Sequence, residues 1–116
     1  MTQEIMKGFA DAWSDKNVSA VMSYFTKDCE YRPSIYERNK ECLKGKEQVE
    51  KAIMEIMQFD DSVQSVVYNG HIDKDIGFWE WEYVTAKGTV IKGCDFFRFK
   101  NNLIKTKNAY RKQIKS

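Results

Sequence analysis

The sequence predicts an α+β fold in which three helices pack on an antiparallel sheet. Three observations carry that expectation. Apolar residues recur at helical spacing in three stretches of the N-terminal half, the pattern alternates in the manner of strands from Ser62 onward, and tight-turn signals divide the second half into hairpins. With 116 residues and 42% hydrophobic side chains, folding buries roughly two-thirds of the unfolded surface. That is enough for one core, and residues 1–116 read as a single domain.

Ile5, Phe9 and Trp13, with Met6 and Ala10 alongside, form the apolar stripe of a first helix. Asn17 is a good N-cap, and Val18, Val21, Met22 and Phe25 at i, i+3, i+4, i+7 predict a second helix. Residues 29–33 read as a short strand closed by Pro33, the only proline. Residues 34–44 show neither period and read as a loop over one end of the domain. Gly45 then introduces a third helix whose face is Val49, Ile53, Ile56 and Met57. Strands come next at 63–68, 78–85, 89–100 and 103–111, rich in β-branched and aromatic residues.

Two turns set the registers. Ala86-Lys87-Gly88 suits a three-residue hairpin loop with Gly88 in the left-handed region. It places Glu82 opposite Lys92, Tyr83 opposite Ile91, Val84 opposite Val90 and Phe78 opposite Phe96, all favourable pairs. Asn101-Asn102 suits a two-residue turn, because asparagine tolerates positive φ, and opposes Phe99 to Ile104, Phe97 to Thr106 and Asp95 to Asn108. Alternation then puts Trp79, Trp81, Tyr83, Ile91, Gly93, Asp95, Phe97, Phe99, Ile104, Thr106, Asn108 and Tyr110 on one face. This face is apolar and aromatic with one acid at its centre, and the helices need it to pack on. The other face carries Glu80, Glu82, Lys92, Cys94, Phe96, Arg98, Lys105, Lys107, Ala109 and Arg111.

Composition narrows the function. The net charge is only +2, but no acid comes after Asp95 while seven Lys and Arg do. Such a strip could meet phosphates, yet basic residues along an edge strand are an ordinary guard against aggregation, and nucleic acid is not the expected partner. Cys29, Cys42 and Cys94 are odd in number and widely spaced, and His71 is the only histidine. Neither a disulfide framework nor a metal site is expected, and no motif calls for a cofactor. The apolar runs are too short for a membrane helix, and the first residues lack a signal-peptide pattern. A cytoplasmic protein is expected.

The element order resembles the nuclear transport factor 2-like superfamily, above all its SnoaL-like and ketosteroid-isomerase-like branch. The resemblance covers nearly the whole chain. It rests on Phe25-Thr26-Lys27-Asp28 before the first strand, Gly45-Lys46-Glu47 opening the third helix, and Asp95-Phe96-Phe97-Arg98-Phe99 followed by Asn101-Asn102-Leu103-Ile104. It implies a strongly curved sheet forming a cone with an internal pocket, and a homodimer through the outer sheet face, where Cys94, Phe96 and Ala109 would form an apolar centre. This superfold hosts enzymes, binding modules and dimerisation domains alike.

Of the three residues the isomerases of that branch use, the resemblance carries over one. The protonated acid falls on Asp95. The oxyanion tyrosine falls on Phe9, which has no hydroxyl, and the carboxylate base falls on Arg32, which takes no proton at neutral pH. Steroid isomerisation by that route is disfavoured. Desolvation among Trp79, Trp81, Phe97 and Phe99 is expected to raise the Asp95 pKa, fitting it to act as an acid or donor; alternatively Asp95 completes a polar core network with Asn108, Tyr110 or an indole. The candidate pocket is Phe9, Trp13, Tyr31, Arg32, Trp79, Trp81, Tyr83, Phe97, Asn108 and Tyr110. The sequence does not say whether Cys29 and Tyr31 or Glu30 and Arg32 face inward; an inward Arg32 would attract a carboxylate. His71 has no identifiable partner and reads as a surface or hairpin residue. The expected function is binding of a small, largely apolar molecule in an aromatic pocket, with isomerase, cyclase or dehydratase chemistry as the class open to Asp95. The alternative is a non-catalytic ligand-binding or dimerisation module.

Overall fold

A computed structural model describes residues 1–68 and 70–115. Helix α1 (Gln3–Ser14) starts where the Thr2 hydroxyl accepts from the Ile5 N–H at 3.1 Å, and it buries Met6, Phe9 and Ala12. Helix α2 (Val18–Met22) starts where the Asn17 side chain accepts from the Ala20 N–H. It is shorter than its apolar spacing predicts, because Phe25 leaves the helix and opens strand β1 (Phe25–Arg32), where its ring packs edge-on to Phe9 at 5.8 Å. The first strand therefore begins four residues before Cys29.

Within the segment read as a loop, β2 (Leu43–Lys44) pairs antiparallel with β1. Helix α3 (Lys46–Phe59) starts after Gly45, whose φ of 83° suits a residue without Cβ. It buries Val49, Ile53 and Met57. Strands β3 (Ser62–Val67), β4 (His71–Asp73), β5 (Ile76–Thr85), β6 (Val90–Lys100) and β7 (Leu103–Arg111) complete the chain. The β4–β5 hairpin turns at Lys74, at φ 57°; the sequence reading has no strand at 71–73.

The sheet order is β2-β1-β7-β6-β5-β3, with β4 also paired to β5. It is curved and not closed, and it is mixed, because β1 runs parallel to β7. The three helices pack on it, joining Met6, Phe9, Val21, Val49 and Ile53 to Phe25, Phe97 and Ile104 in one buried cluster. No helix among the described residues is long and apolar enough to cross a membrane.

The β5–β6 register is the one the Ala86-Lys87-Gly88 loop predicts, with Glu82 opposite Lys92 and Phe78 opposite Phe96. Gly88 has φ 86°, and the Thr85 N–H donates to the Thr89 carbonyl. The β6–β7 turn also forms as expected: Asn101 and Asn102 both have positive φ, and Phe99 opposes Ile104. One residue later the register slips. Arg98 opposes Thr106, so Lys105 is an extra residue, a β-bulge.

The bulge corrects the expected faces of β7. Asp95 opposes Ala109, not Asn108, and Phe97 opposes Lys107, not Thr106. Because side chains alternate, Thr106, Asn108 and Tyr110 turn outward while Lys107, Ala109 and Arg111 turn inward. Tyr110 is 61% exposed and Lys107 only 4%. The bulged Lys105 is held by Asp28 of β1 in a 3.1 Å ion pair, and β1 carries its own irregularity between Phe25 and Glu30.

Candidate functional site

On the concave side of the sheet, α1, the end of α3 and strands β3, β5, β6 and β7 enclose a cavity of about 310 Å³. Strand alternation aims Trp79, Trp81 and Tyr83 of β5 at it, and β1 contributes Tyr31. Helix α1 contributes Phe9 and Trp13, one turn apart on its inner stripe. Gly93 of β6 lies opposite Trp81, and a Cβ there would collide with the indole, so this glycine makes room for the Trp81 wall. Trp81 and Tyr83 stack at 5.9 Å and 20°.

At the floor, Lys107 Nζ lies 3.3 Å from Asp95 Oδ2, with side chains 5% and 7% exposed. The Trp79 indole N–H donates to the same oxygen at 3.3 Å. The ammonium also lies over the rings of Trp13 at 4.5 Å and Tyr31 at 4.8 Å, both within cation–π range. Burial by itself pulls the Lys107 pKa down, but the charge of Asp95, then Tyr31, then the bond to Asp95 outweigh it, and the group is held above the ordinary lysine value. Lys107 is therefore the charged donor of the pair and Asp95 its acceptor. Asp95 Oδ1 is buried and has no partner among the described residues. Burial pushes the Tyr31 hydroxyl up; the charge of Lys107 offsets part of this and the charge of Asp95 adds to it.

The candidates from the sequence fall into two sets. Phe9, Trp13, Tyr31, Trp79, Trp81, Tyr83 and Asp95 meet around the cavity. Phe97 is buried beside it, edge-on to Trp79 and stacked on Phe99, without lining it. Arg32 is exposed: alternation along β1 turns Cys29 and Tyr31 inward and Arg32 out. Asn108 and Tyr110 are corrected by the Lys105 bulge, which puts them on the outer face, where Asn108 donates to the Tyr110 hydroxyl at 2.9 Å. Ala109 leaves the expected outer apolar centre for the same reason and lines the cavity. His71 lies on β4 against Phe78, their rings 5.2 Å apart, and is exposed.

Lys107 and Arg111 are what the sequence reading missed. A usable signal existed, since a carboxylate buried among aromatics needs a counter-charge and β7 offers only lysines and an arginine. Demanding such a partner for Asp95 would have required a shifted register. No cluster of His, Cys, Asp or Glu among the described residues has the arrangement of a metal site.

The sequence profile of the SnoaL-like domain matches residues 6–106. The chain belongs to the SnoaL-like family. No curated protein matches the sequence, but solved structures share the fold of this SnoaL-like protein. An NTF2-like protein of unknown function from Mesorhizobium loti is similar at TM-score 0.79 and 17% identity, over 95% of this chain and 89% of that one. A protein with a ketosteroid isomerase-like fold from Catenulispora acidiphila, in complex with trimethylamine, is similar at TM-score 0.77 and 19% identity, over 95% and 86%. A de novo designed protein with a curved β-sheet is similar at TM-score 0.71 and 17% identity, over 97% and 88%. At these identities the likeness concerns the fold.

Proposed function

We propose that this SnoaL-like protein binds a small, largely apolar molecule in the cone cavity, with the Asp95–Lys107 pair as its reactive floor. The observation that carries this reading is an ion pair beneath an aromatic-lined cavity. A void of this volume is of ligand size and far larger than a packing defect. Replacing a buried ion pair by apolar side chains is often neutral or stabilising, so packing alone gives no reason for Asp95 and Lys107 at this place. The chemistry open to them is acid/base: a carboxylate that can accept a proton, beside an ammonium that can stabilise a developing oxyanion. Isomerisation, cyclisation and dehydration all use such a pair. The roles differ from the sequence expectation, in which Asp95 was the donor.

A non-catalytic binding role has one observation in its favour. Lys107 holds its proton more tightly than an ordinary lysine, which suits it to donate a hydrogen bond and handicaps it as an acid. Both versions rest on occupancy of the cavity. Tetralin, an apolar probe of ten carbons, should quench or shift tryptophan emission saturably and move the Trp79 and Trp81 indole signals in NMR. An absence of any response up to the solubility limit of tetralin would overturn the reading.

Homodimerisation is part of the same proposal. The outer face presents Phe78 beside Phe96, with Arg98 over the Phe96 ring at 5.5 Å and Cys94 opposite Tyr110. This apolar centre between charged flanks is the kind of patch a two-fold interface buries.

A further inference from the structure

Lys107 is neutralised by Asp95 within the cavity, but a second cation there is not. The Lys105 bulge turns Arg111 inward to line the cavity opposite Gly93, beside the Trp81 wall. Its guanidinium has no ion pair, side-chain hydrogen bond or aromatic face among the described residues. Besides Asp95, the acids Asp60, Asp61 and Glu82 line the cavity, and none forms an ion pair with Arg111; Asp60 is engaged elsewhere, its Oδ1 accepting from the Ser62 N–H at 2.7 Å and Lys16 standing 4.0 Å from its Oδ2. Arg111 is half-buried, so an anion meeting it keeps part of its hydration shell. The floor offers an anion nothing comparable, because Asp95 repels it where Lys107 would attract it.

Apolar residues complete the rim. Phe59 is 81% exposed, Ile35 68% exposed, and Ile56 and Val67 are partly exposed, and all four line the cavity. We infer that the ligand is a small amphipathic carboxylate whose apolar body lies against Trp81 and Tyr83 and whose carboxylate is received by the Arg111 guanidinium. This deepens the cavity-binding proposal and depends on it. Guanidinium binds a carboxylate through two parallel N–H···O bonds, and the position at the mouth spares the anion full desolvation.

The test compares tetralin-2-carboxylate with the neutral tetralin-2-carboxamide, by tryptophan fluorescence and NMR at pH 7. In the native protein the carboxylate should bind at least about tenfold tighter, the ratio that about 1.4 kcal/mol of charge-assisted hydrogen bonding gives. In Arg111→Gln the ratio should fall to near one while the carboxamide Kd moves less than about twofold. Arg111→Lys, which keeps the charge but loses the fork, should give an intermediate ratio. Equal binding of the two probes by the native protein, a carboxylate preference that survives Arg111→Gln, or tighter binding of 2-aminotetralin than of the carboxylate would each overturn the inference while leaving cavity binding intact. If neither those probes nor tetralin itself binds, the cavity reading fails and this inference fails with it.

Discussion

Replacing Lys107 by methionine keeps most of the stem that packs on Trp13 and Tyr31 but leaves Asp95 without its counter-charge. At 3.3 Å the Coulomb attraction is about 5 kcal/mol for an effective dielectric near 20, and removing one member of a buried pair typically costs about 3–5 kcal/mol. We expect Lys107→Met to lose that amount in urea unfolding, a large share of the ~5–15 kcal/mol that holds a domain together. Asp95→Leu should lose a comparable amount by stranding the ammonium. The double variant Asp95→Leu/Lys107→Met should recover to within about 2 kcal/mol of the native protein, so the cycle gives a coupling of several kcal/mol. A pH series supplies a reading on the native chain. Lys107 is held above its ordinary value, so its stabilisation is complete below about pH 10.4, the unfolded pKa, and is lost as pH rises through the higher folded one. Cys29 and Tyr31, both pushed up by burial, lose stability with the same sign, so the difference between native and Lys107→Met above about pH 10 reports Lys107 together with its electrostatic effect on Tyr31. A cost below about 1 kcal/mol for Lys107→Met, with no coupling in the cycle, would refute the buried pair.

Two further substitutions probe the wall and the outer face. Gly93→Ala should lower stability by about 1–3 kcal/mol through overpacking and shift tryptophan emission by displacing Trp81; unchanged emission and stability would mean the indole does not cover Gly93. Phe96→Glu should convert a dimer to monomers in light scattering at micromolar concentration, and a monomeric native protein would rule out the outer-face interface.

Where turn chemistry and side-chain pairing speak together, the sequence is explicit. Ala86-Lys87-Gly88 needs a positive φ at Gly88, and the pairs Glu82/Lys92 and Phe78/Phe96 select one register from its neighbours, so the β5–β6 half of the site was legible residue by residue. Asn101-Asn102 was as legible at the turn itself. The register of β7 beyond that turn was not, because a bulge leaves little local signature: Lys105 has the same character as Lys107, and the ion pair that holds it comes from Asp28, 77 residues away. Phe25 shows the same limit. Its spacing from Val18, Val21 and Met22 is helical, but the contact with Phe9 that places it in β1 is tertiary. Strand β2, two residues long, exists only through its pairing with β1.

The single-residue slip at Lys105 decides more than the placement of six side chains. Without it, Asp95 would face Asn108 and the cavity floor would hold no cation, with Lys107 and Arg111 on the outside where basic strand residues ordinarily serve solubility. With it, the cavity acquires an ion pair at its base and, at its mouth, a guanidinium with no ion pair among the described residues. None of this depends on the helices or on the β5–β6 hairpin, which would be the same in either case. A fold shared at TM-scores of 0.7 to 0.8 with proteins less than 20% identical therefore leaves the chemistry of the cavity undetermined, since one bulge in one strand exchanges its charged residues. On the reading proposed for this chain, the donor to an oxyanion is the β7 ammonium. The α1 position to which the family resemblance assigned that task holds Phe9, which packs against Trp79 in the core.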